Sequence, residues 1–549
     1  VHKILTIVAF LLLGLLAPRE ASAQLVPHGF PSAFSGGGGL TQTSYYVNNS
    51  GSDSSPGTVG SPWQTLTKVN GFTFPTNSTI FFAGGQSFSG TLEIGTGFVT
   101  GAQFSGTLTV DSYGTGRATI NAGTGDGFYI INVGNVTIQD LIFTASGGAN
   151  NLGGYVTNSQ AGNTQLSNVL LNNLDVSGFD KAQIVLGGDA GTSGFTNFSL
   201  TNSVLHGAGN SGFQSYGSVS GSYSHYNVTL TNVTTYDIPG HSGVGSGSGI
   251  VLGEVDGATV QNSLSYGNGT IGLGGVGIWT YDSNNIHFVE NESHHNTSTS
   301  GDGDGFDFDG GITNSLMEKN YSHDNKGSGF LLYAYAGLPW SSNTLRDNIS
   351  QNDGSGGASG IYIGNDGTAV QTGASIYNNT VYNSSGRECL AIGVGTSSNN
   401  ITALIANNIF NCDSTPLVAT AATLTGSSVS LLTNDYYAPT SFSITWLGAT
   451  YTSFASWQTA TGQEKISGTN VGLTSNPLLS GAGSGGTCGG WSATCPSQYE
   501  LTSGSPMIGT GLNLTLSPYS LVVGTSDYYT NTIPNGTGTG YNVGAYGAP

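Results

Sequence analysis

Four aspartates, Asp302, Asp304, Asp307 and Asp309, lie in the glycine-rich run 301–311, in a chain of which only 7% of residues are charged. Carboxylates this close repel one another unless a cation, a shared proton or water relieves them. Two chemistries are open to them. Asp302, Asp304 and Asp307 are candidate ligands of a hard cation, calcium. Asp307 and Asp309 are candidate paired carboxylates for acid and base work on a substrate. Phe306 and Phe308 alternate with these two aspartates, the period-two pattern of a strand with one apolar and one polar face. A solvated Asp/Gly turn is the plain alternative. A second group lies in the runs 291–296 and 320–325, which carry His294-His295 and His323-Asp324. His295 with Asp324 is a candidate acid–base pair, because a neighbouring carboxylate raises an imidazole pKa; polar lining of turns is its alternative. Glu254, Asp282 and Glu290 are weaker candidates upstream.

The elements that must position these residues are read from a repeat. An Asn or Asp recurs at Asp140, Asn173, Asn202, Asn232, Asn262, Asn291, Asn320, Asn348, Asn379 and Asn408, at intervals of 28 to 33 residues. A period near 30 without a heptad predicts an all-β solenoid, a parallel β-helix with one coil per repeat. In this reading the Asn side chains form a single column, bonding backbone groups and the amide of the next coil. A second column, Gly212-Phe213, Gly249-Ile250, Gly277-Ile278, Gly305-Phe306, Gly329-Phe330 and Gly360-Ile361, opens a short strand in each coil. Alternation then points Ile250, Leu252, Ile278, Thr280, Phe306, Phe308, Phe330, Leu332, Ile361 and Ile363 inward. It leaves Trp279, Asp307, Leu331 and Tyr362 in one outward file, and Tyr281, Asp309 and Tyr333 in another, with coils about 4.8 Å apart. Trp279, Tyr281, Tyr333 and Tyr362 are therefore candidate substrate-binding residues on an exposed face, since sugar rings stack on aromatics while hydroxyls bond polar neighbours. The ordinary β-propensity of aromatics is the alternative.

Composition bounds the partners. Gly accounts for 89 of 549 residues, and 10 Lys plus Arg face 30 Asp plus Glu. So few cations cannot build a nucleic-acid face, and a net charge of −20 disfavours an anionic polymer unless metal bridges the contact. Residues 1–23 read as an export signal: Lys3, the apolar run from Ile4 to Leu16, then Ala21-Ser22-Ala23. Val at position 1 suggests a bacterial alternative start codon, and no later segment is apolar enough to span a membrane. Residues 24–44 read as a flexible leader, 45–430 as the β-helix with its N-terminal segment, and 431–549 as closing coils that cap it. In an exported chain Cys389, Cys412, Cys488 and Cys495 are free to pair, and Cys488 with Cys495 would close a short loop.

The coil pattern, with Tyr45-Tyr46-Val47, the run 51–57 and Pro62-Trp63-Gln64 at its start and Asn542-Val543-Gly544 near its end, resembles the right-handed parallel β-helix proteins of the pectate lyase-like superfamily. The resemblance implies a secreted, monomeric, carbohydrate-active enzyme that cleaves a polysaccharide, or else a non-catalytic glycan-binding surface protein stiffened by calcium. Asp304-Gly305-Phe306-Asp307 followed by Gly329-Phe330 is similar to family 9 polysaccharide lyases, which implies calcium at Asp304 and Asp307. Gly303 replaces one motif aspartate, and Leu331 stands where that family has its lysine base. The same motif is similar to family 28 glycoside hydrolases, whose later motifs are absent downstream. Hydrolysis by paired carboxylates is the favoured expectation, with calcium-assisted lyase chemistry beside it.

Overall fold

Each coil owes its shape to short alternating strands whose apolar residues have only one direction in which to be buried. The computed structural model describes residues 42–547 except 98–100, 208, 336, 385, 395–399, 414–415, 425–427 and 535–539. The expected export signal and nearly all of the expected leader lie outside the described residues. From Ser44–Val47 onward the chain winds as a right-handed parallel β-helix with a coil of about 29 residues. Two long parallel sheets run its length, of 26 and 14 strands among the described residues. The antiparallel pairings between named strands come late, at Ile444–Trp446 with Ala449–Tyr451 and at Lys465–Ile466 with Thr469–Asn470. No helix among the described residues is long and apolar enough to cross a membrane.

The predicted inward residues form the core. Ile250, Leu252, Ile278, Phe306, Phe308, Phe330, Leu332, Ile361 and Ile363 are all buried, and Phe306 stacks on Phe330 with centroids 5.3 Å apart. One apolar cluster extends from Tyr45 to Trp457, so no coil holds its core alone.

The Asn repeat proves to be two columns one residue apart. Asp140, Asn173, Asn202, Asn232 and Asn262 occupy a left-handed turn position, with φ between 50° and 55°. In later coils that position passes to Glu290, Lys319, Asp347, Asn378 and Asn407. Asn291, Asn320, Asn348, Asn379 and Asn408 instead lie one residue further on and inside. Asn320 Nδ2 donates to Asn348 Oδ1, Asn348 Nδ2 to Asn379 Oδ1 and Asn379 Nδ2 to Asn408 Oδ1, at 3.0, 3.0 and 2.9 Å. The left-handed position favours Asn because its short side chain tolerates positive φ. The buried position needs Asn because only an amide supplies both donor and acceptor to its neighbours.

At the C-terminal end the helix Phe454–Thr461 lays Trp457 against Trp446 and Tyr436, sealing the last core layer. Beyond this helix, within the segment 431–549 expected to cap the solenoid, the chain turns back along the outer face of the 26-stranded sheet. Gln351 Nε2 donates to Gly485 O at 2.8 Å, Tyr377 OH to Val522 O at 2.8 Å, and Ala545 N to Thr380 Oγ1 at 3.0 Å. Disulfides join Cys389 to Cys412 within the coils and Cys488 to Cys495 within the returning segment.

The two Asn columns should respond differently to mutation. Asn348→Ala strands the buried amide of Asn320 and should lower unfolding free energy by about 1–3 kcal/mol for each group left unpaired. Asn232→Gly, which suits positive φ, should change it by less than about 0.5 kcal/mol. Guanidinium denaturation of both variants checks this; equal losses would contradict the division.

Candidate functional site

The outer face of the 14-stranded sheet carries the predicted file. Strands Ile278–Tyr281, Phe306–Phe308, Phe330–Ala334 and Ile361–Asn365 pair in parallel, placing Trp279 beside Asp307, Asp307 beside Leu331 and Leu331 beside Tyr362. Asp309 follows its strand, and its N–H continues the ladder to Thr280 O at 3.0 Å. The face is not the exposed platform expected for sugar stacking. Asp304, Asp307 and Asp309 are 2%, 4% and 6% exposed, and Trp279 and Tyr333 are buried. Trp279 lies against Val251 and Val276 and spends its indole N–H on Ser248 Oγ at 3.0 Å. Tyr281, Tyr362 and Asp302 are half-buried at the rim, where Tyr362 OH donates to Val394 O at 2.6 Å.

The covering residues come from turns. Tyr335 stacks over Gly310 so closely that a Cβ there would meet its ring at 2.5 Å. Asp282 Oδ2 accepts from Ser220 Oγ and Gly221 N at 3.0 and 2.8 Å, holding the 220–221 turn over the sheet edge. Tyr335 has no signal in the sequence, because it falls beyond the alternating strand.

Burial and mutual repulsion set the protonation of this face. The Asp307 carboxyl is raised well above the ordinary range by burial, then by Asp309, Asp304 and Asp302. Asp304 and Asp309 are raised likewise, burial first, and burial pushes Asp302 up to about 6. At the edge Glu254 is pushed to about 7 by burial and the charge of Asp282. Ser328 N donates to Asp304 Oδ1, whereas Asp304 Oδ2 and Asp307 Oδ1 are buried without a hydrogen-bond partner. Such orphaned hard oxygens suit calcium in kind. Among the described residues no three of these carboxylates bring ligand oxygens within 4.8 Å of one another.

The histidines stand on the 26-stranded sheet. Strands Glu292–His294 and Tyr321–His323 pair Glu292 with Tyr321 and His294 with His323. His206, Tyr236, Tyr266, His294 and His323 stack in sequence, at centroid spacings of 4.8, 5.2, 5.0 and 4.6 Å. His295 and Asp324, the expected pair, come next in one turn column, but each side chain bonds within its own coil. Asp324 Oδ2 accepts from His323 Nδ1 at 2.8 Å, and His295 Nδ1 lies 2.8 Å from His294 Nδ1. His323 Nε2 meets Glu292 Oε1 at 3.1 Å. Burial opposes the charge on His323, but the bonds to Asp324 and Glu292 outweigh it and push the imidazole to about 9. Burial also opposes the charge on Glu292, yet His323 and the N–H groups of Cys488 and Gly490, at 2.7 and 2.6 Å, hold its pKa down. His294 falls to about 4 through burial and the charge of His323. Two sets here have ligand atoms mutually within 4.8 Å, Glu292/His294/His323 and His295/His323/Asp324, so this acid–histidine cluster is capable of coordinating a metal ion. Glu292 was open to sequence reasoning as the residue two before His294 on the same strand face; its partners near residue 489 were not.

No protein-family model matches the chain, and no curated protein does. Among solved structures it is similar to the native GH136 lacto-N-biosidase from Eubacterium ramulus, with TM-score 0.51 and 16% identity over 63% of this chain and 65% of that one. The chain thus spans just under two thirds of that protein's length. It is also similar to pectate lyase Pel9A, with TM-score 0.41 and 14% identity over 93% of this chain and 98% of that one. The A-module of the Azotobacter vinelandii mannuronan C-5 epimerase AlgE6 has TM-score 0.46 and 16% identity over 64% and 89%. At 16% identity the likeness to the biosidase establishes the shared β-helix fold and nothing finer.

The aspartate face predicts a pH dependence. Carboxyls raised in the native state hold protons that the unfolded chain releases above about pH 4, so they make stability fall as pH rises from there. In chelator, Asp307→Asn should flatten that fall relative to the wild type in melting curves between pH 4 and 8. An unchanged slope would contradict the burial of its charge.

Proposed function

We propose that the chain is an extracellular carbohydrate-active enzyme that hydrolyses a neutral polysaccharide, with Asp307 and Asp309 as its catalytic carboxyl pair. One observation carries the reading: two carboxyls of one strand edge share a water-poor face, where burial raises both and the charge of Asp309 raises Asp307 further. An acid and a base are obtained side by side when like charges push two carboxyls apart in pKa. Asp307, repelled by three other aspartates, keeps its proton and donates it to the leaving oxygen. Asp309 is also raised by burial, but the Gly310 N–H that it accepts lowers its pKa, so it is the member of the pair to ionise and take the proton of the attacking water. Same-face residues two apart on a strand stand about 6.6–7 Å apart at Cα, near the lower edge of the ~6.5–9.5 Å carboxyl separation of inverting glycosidases. The half-buried Tyr281 and Tyr362 are where a sugar meets the face, with Tyr333 behind them.

Calcium held by Asp302, Asp304 and Asp307 would relieve their repulsion but would hold Asp307 ionised, so calcium at all three belongs to the non-catalytic binding reading. A lyase needs a base for the proton alpha to a uronate carboxylate, and Leu331 occupies the position the family 9 motif gives to lysine. The net charge of −20 also favours a neutral substrate. Two disulfides suit an oxidising compartment, in line with the export signal. Non-catalytic glycan binding is the second reading, supported by the burial of the carboxyls.

Incubation with a panel of neutral and uronate glycans tests the proposal. New reducing ends are expected, and Asp307→Asn and Asp309→Asn should each lower the rate by at least about 100-fold with the fold retained. An ultraviolet-absorbing unsaturated uronate would instead show elimination, and inactivity on every glycan would favour the binding role.

Calcium should raise the melting temperature, because an ion that binds only the native state stabilises it. The double variant Asp304→Ala, Asp307→Ala should lose that rise. Identical wild-type curves with calcium and with chelator would remove calcium from the account.

A further inference from the structure

We infer that His295, His323 and Asp324 form a binding site for one divalent transition-metal ion of the zinc type, joining two neighbouring coils. Three donors lie within 4.8 Å of one another, one from the coil of His295 and two from the next. Two imidazoles and a carboxylate are the donor set of zinc and its neighbours, whereas calcium and magnesium take oxygen throughout.

Ring geometry selects this set over Glu292, His294 and His323. His294 and His323 are stacked, with planes 21° apart, so their in-plane lone pairs run nearly parallel and do not meet at one ion. His295 and His323 are perpendicular at 89° with centroids 5.8 Å apart, so their lone pairs can converge. His323 offers Nδ1, the atom that now faces Asp324 Oδ2 at 2.8 Å. In a tetrahedral site with bonds of about 2.0–2.2 Å, donor atoms stand roughly 3.3–3.5 Å apart, so this contact needs to open by well under an ångström. The ion takes the place of the proton that His323 Nδ1 and Asp324 share.

The surroundings support the ligands. His323 Nε2, the nitrogen left over, donates to Glu292, which is wholly buried and anchored by the N–H groups of Cys488 and Gly490. A carboxylate behind the far nitrogen is the usual support of a metal-bound histidine, fixing its tautomer and orientation. His294 Nδ1 lies 2.8 Å from His295 Nδ1, a contact that the exposed His295 ring can give up. His295 is exposed, so an ion has a route in. The site is on the other sheet from the aspartate face, and it does not depend on the proposed hydrolysis.

The test is titration of the full chain with cobalt(II), read by its visible absorption, and with zinc by calorimetry. One equivalent is expected. His295→Ala and Asp324→Ala should each weaken binding at least tenfold, and Glu292→Gln by roughly 10- to 100-fold as a supporting group. His294→Phe, which keeps the stack and removes the nitrogens, should bind within a few-fold of wild type, and Asp307→Asn should bind unchanged. His295 is on the surface, so its loss leaves the fold intact for the comparison. No uptake by the wild type would overturn the inference. Loss in His294→Phe with binding kept in His295→Ala would overturn it too, moving the ion to the buried set.

Discussion

Register between coils is the constraint on which the molecule depends. Parallel strands about 4.8 Å apart place like residues above like, so whatever a coil turns inward or outward is repeated by its neighbours. Phe306 over Phe330 and Asn320 over Asn348 are stabilising repeats of this kind. The same geometry forces Asp307 into a file with Trp279, Leu331 and Tyr362, and stacks His294 on His323. The fold cannot relax the crowding of Asp302 to Asp309 without giving up its core, since Phe306 and Phe308 fix the strand from the other side.

The two faces handle buried acid in opposite ways. On the 14-stranded sheet Asp304, Asp307 and Asp309 have each other for company and few donors, so their carboxyls keep protons far above the usual range. On the 26-stranded sheet Glu292 is just as buried, but it receives two backbone N–H groups and a charged imidazole and stays ionised. One arrangement stores protons and the other holds an ion pair. The first suits proton transfer to a substrate; the second suits fastening the returning C-terminal segment to the solenoid.

Much of this was legible in the chain, for a definite reason. Period-two alternation after each glycine gives the inward and outward sets directly, and the files result from stacking. The Asn repeat was legible as a period but not as two columns, because a step of 28 residues plus one is indistinguishable from the scatter of the intervals. That Trp279 is buried could not be read, since Val276, which packs on it, sits in a loop without periodicity, and Ser248, which takes its N–H, opens the strand Ser248–Gly253 31 residues earlier. The partners of Glu292 were hidden further still, nearly 200 residues away at Cys488 and Gly490. Tyr335 belongs to the same class: turn residues are placed by tertiary packing.

The central claim is that Asp307 and Asp309 move protons in hydrolysis of a glycan. Its most direct test is to run the reaction on a cleaved glycan in heavy-oxygen water and weigh the products. The account predicts one heavy oxygen at each new reducing end and none at the new non-reducing end with the wild type, and at least about 100-fold less product with Asp307→Asn. Unlabelled, unsaturated ends, or unchanged turnover in Asp307→Asn, would contradict it.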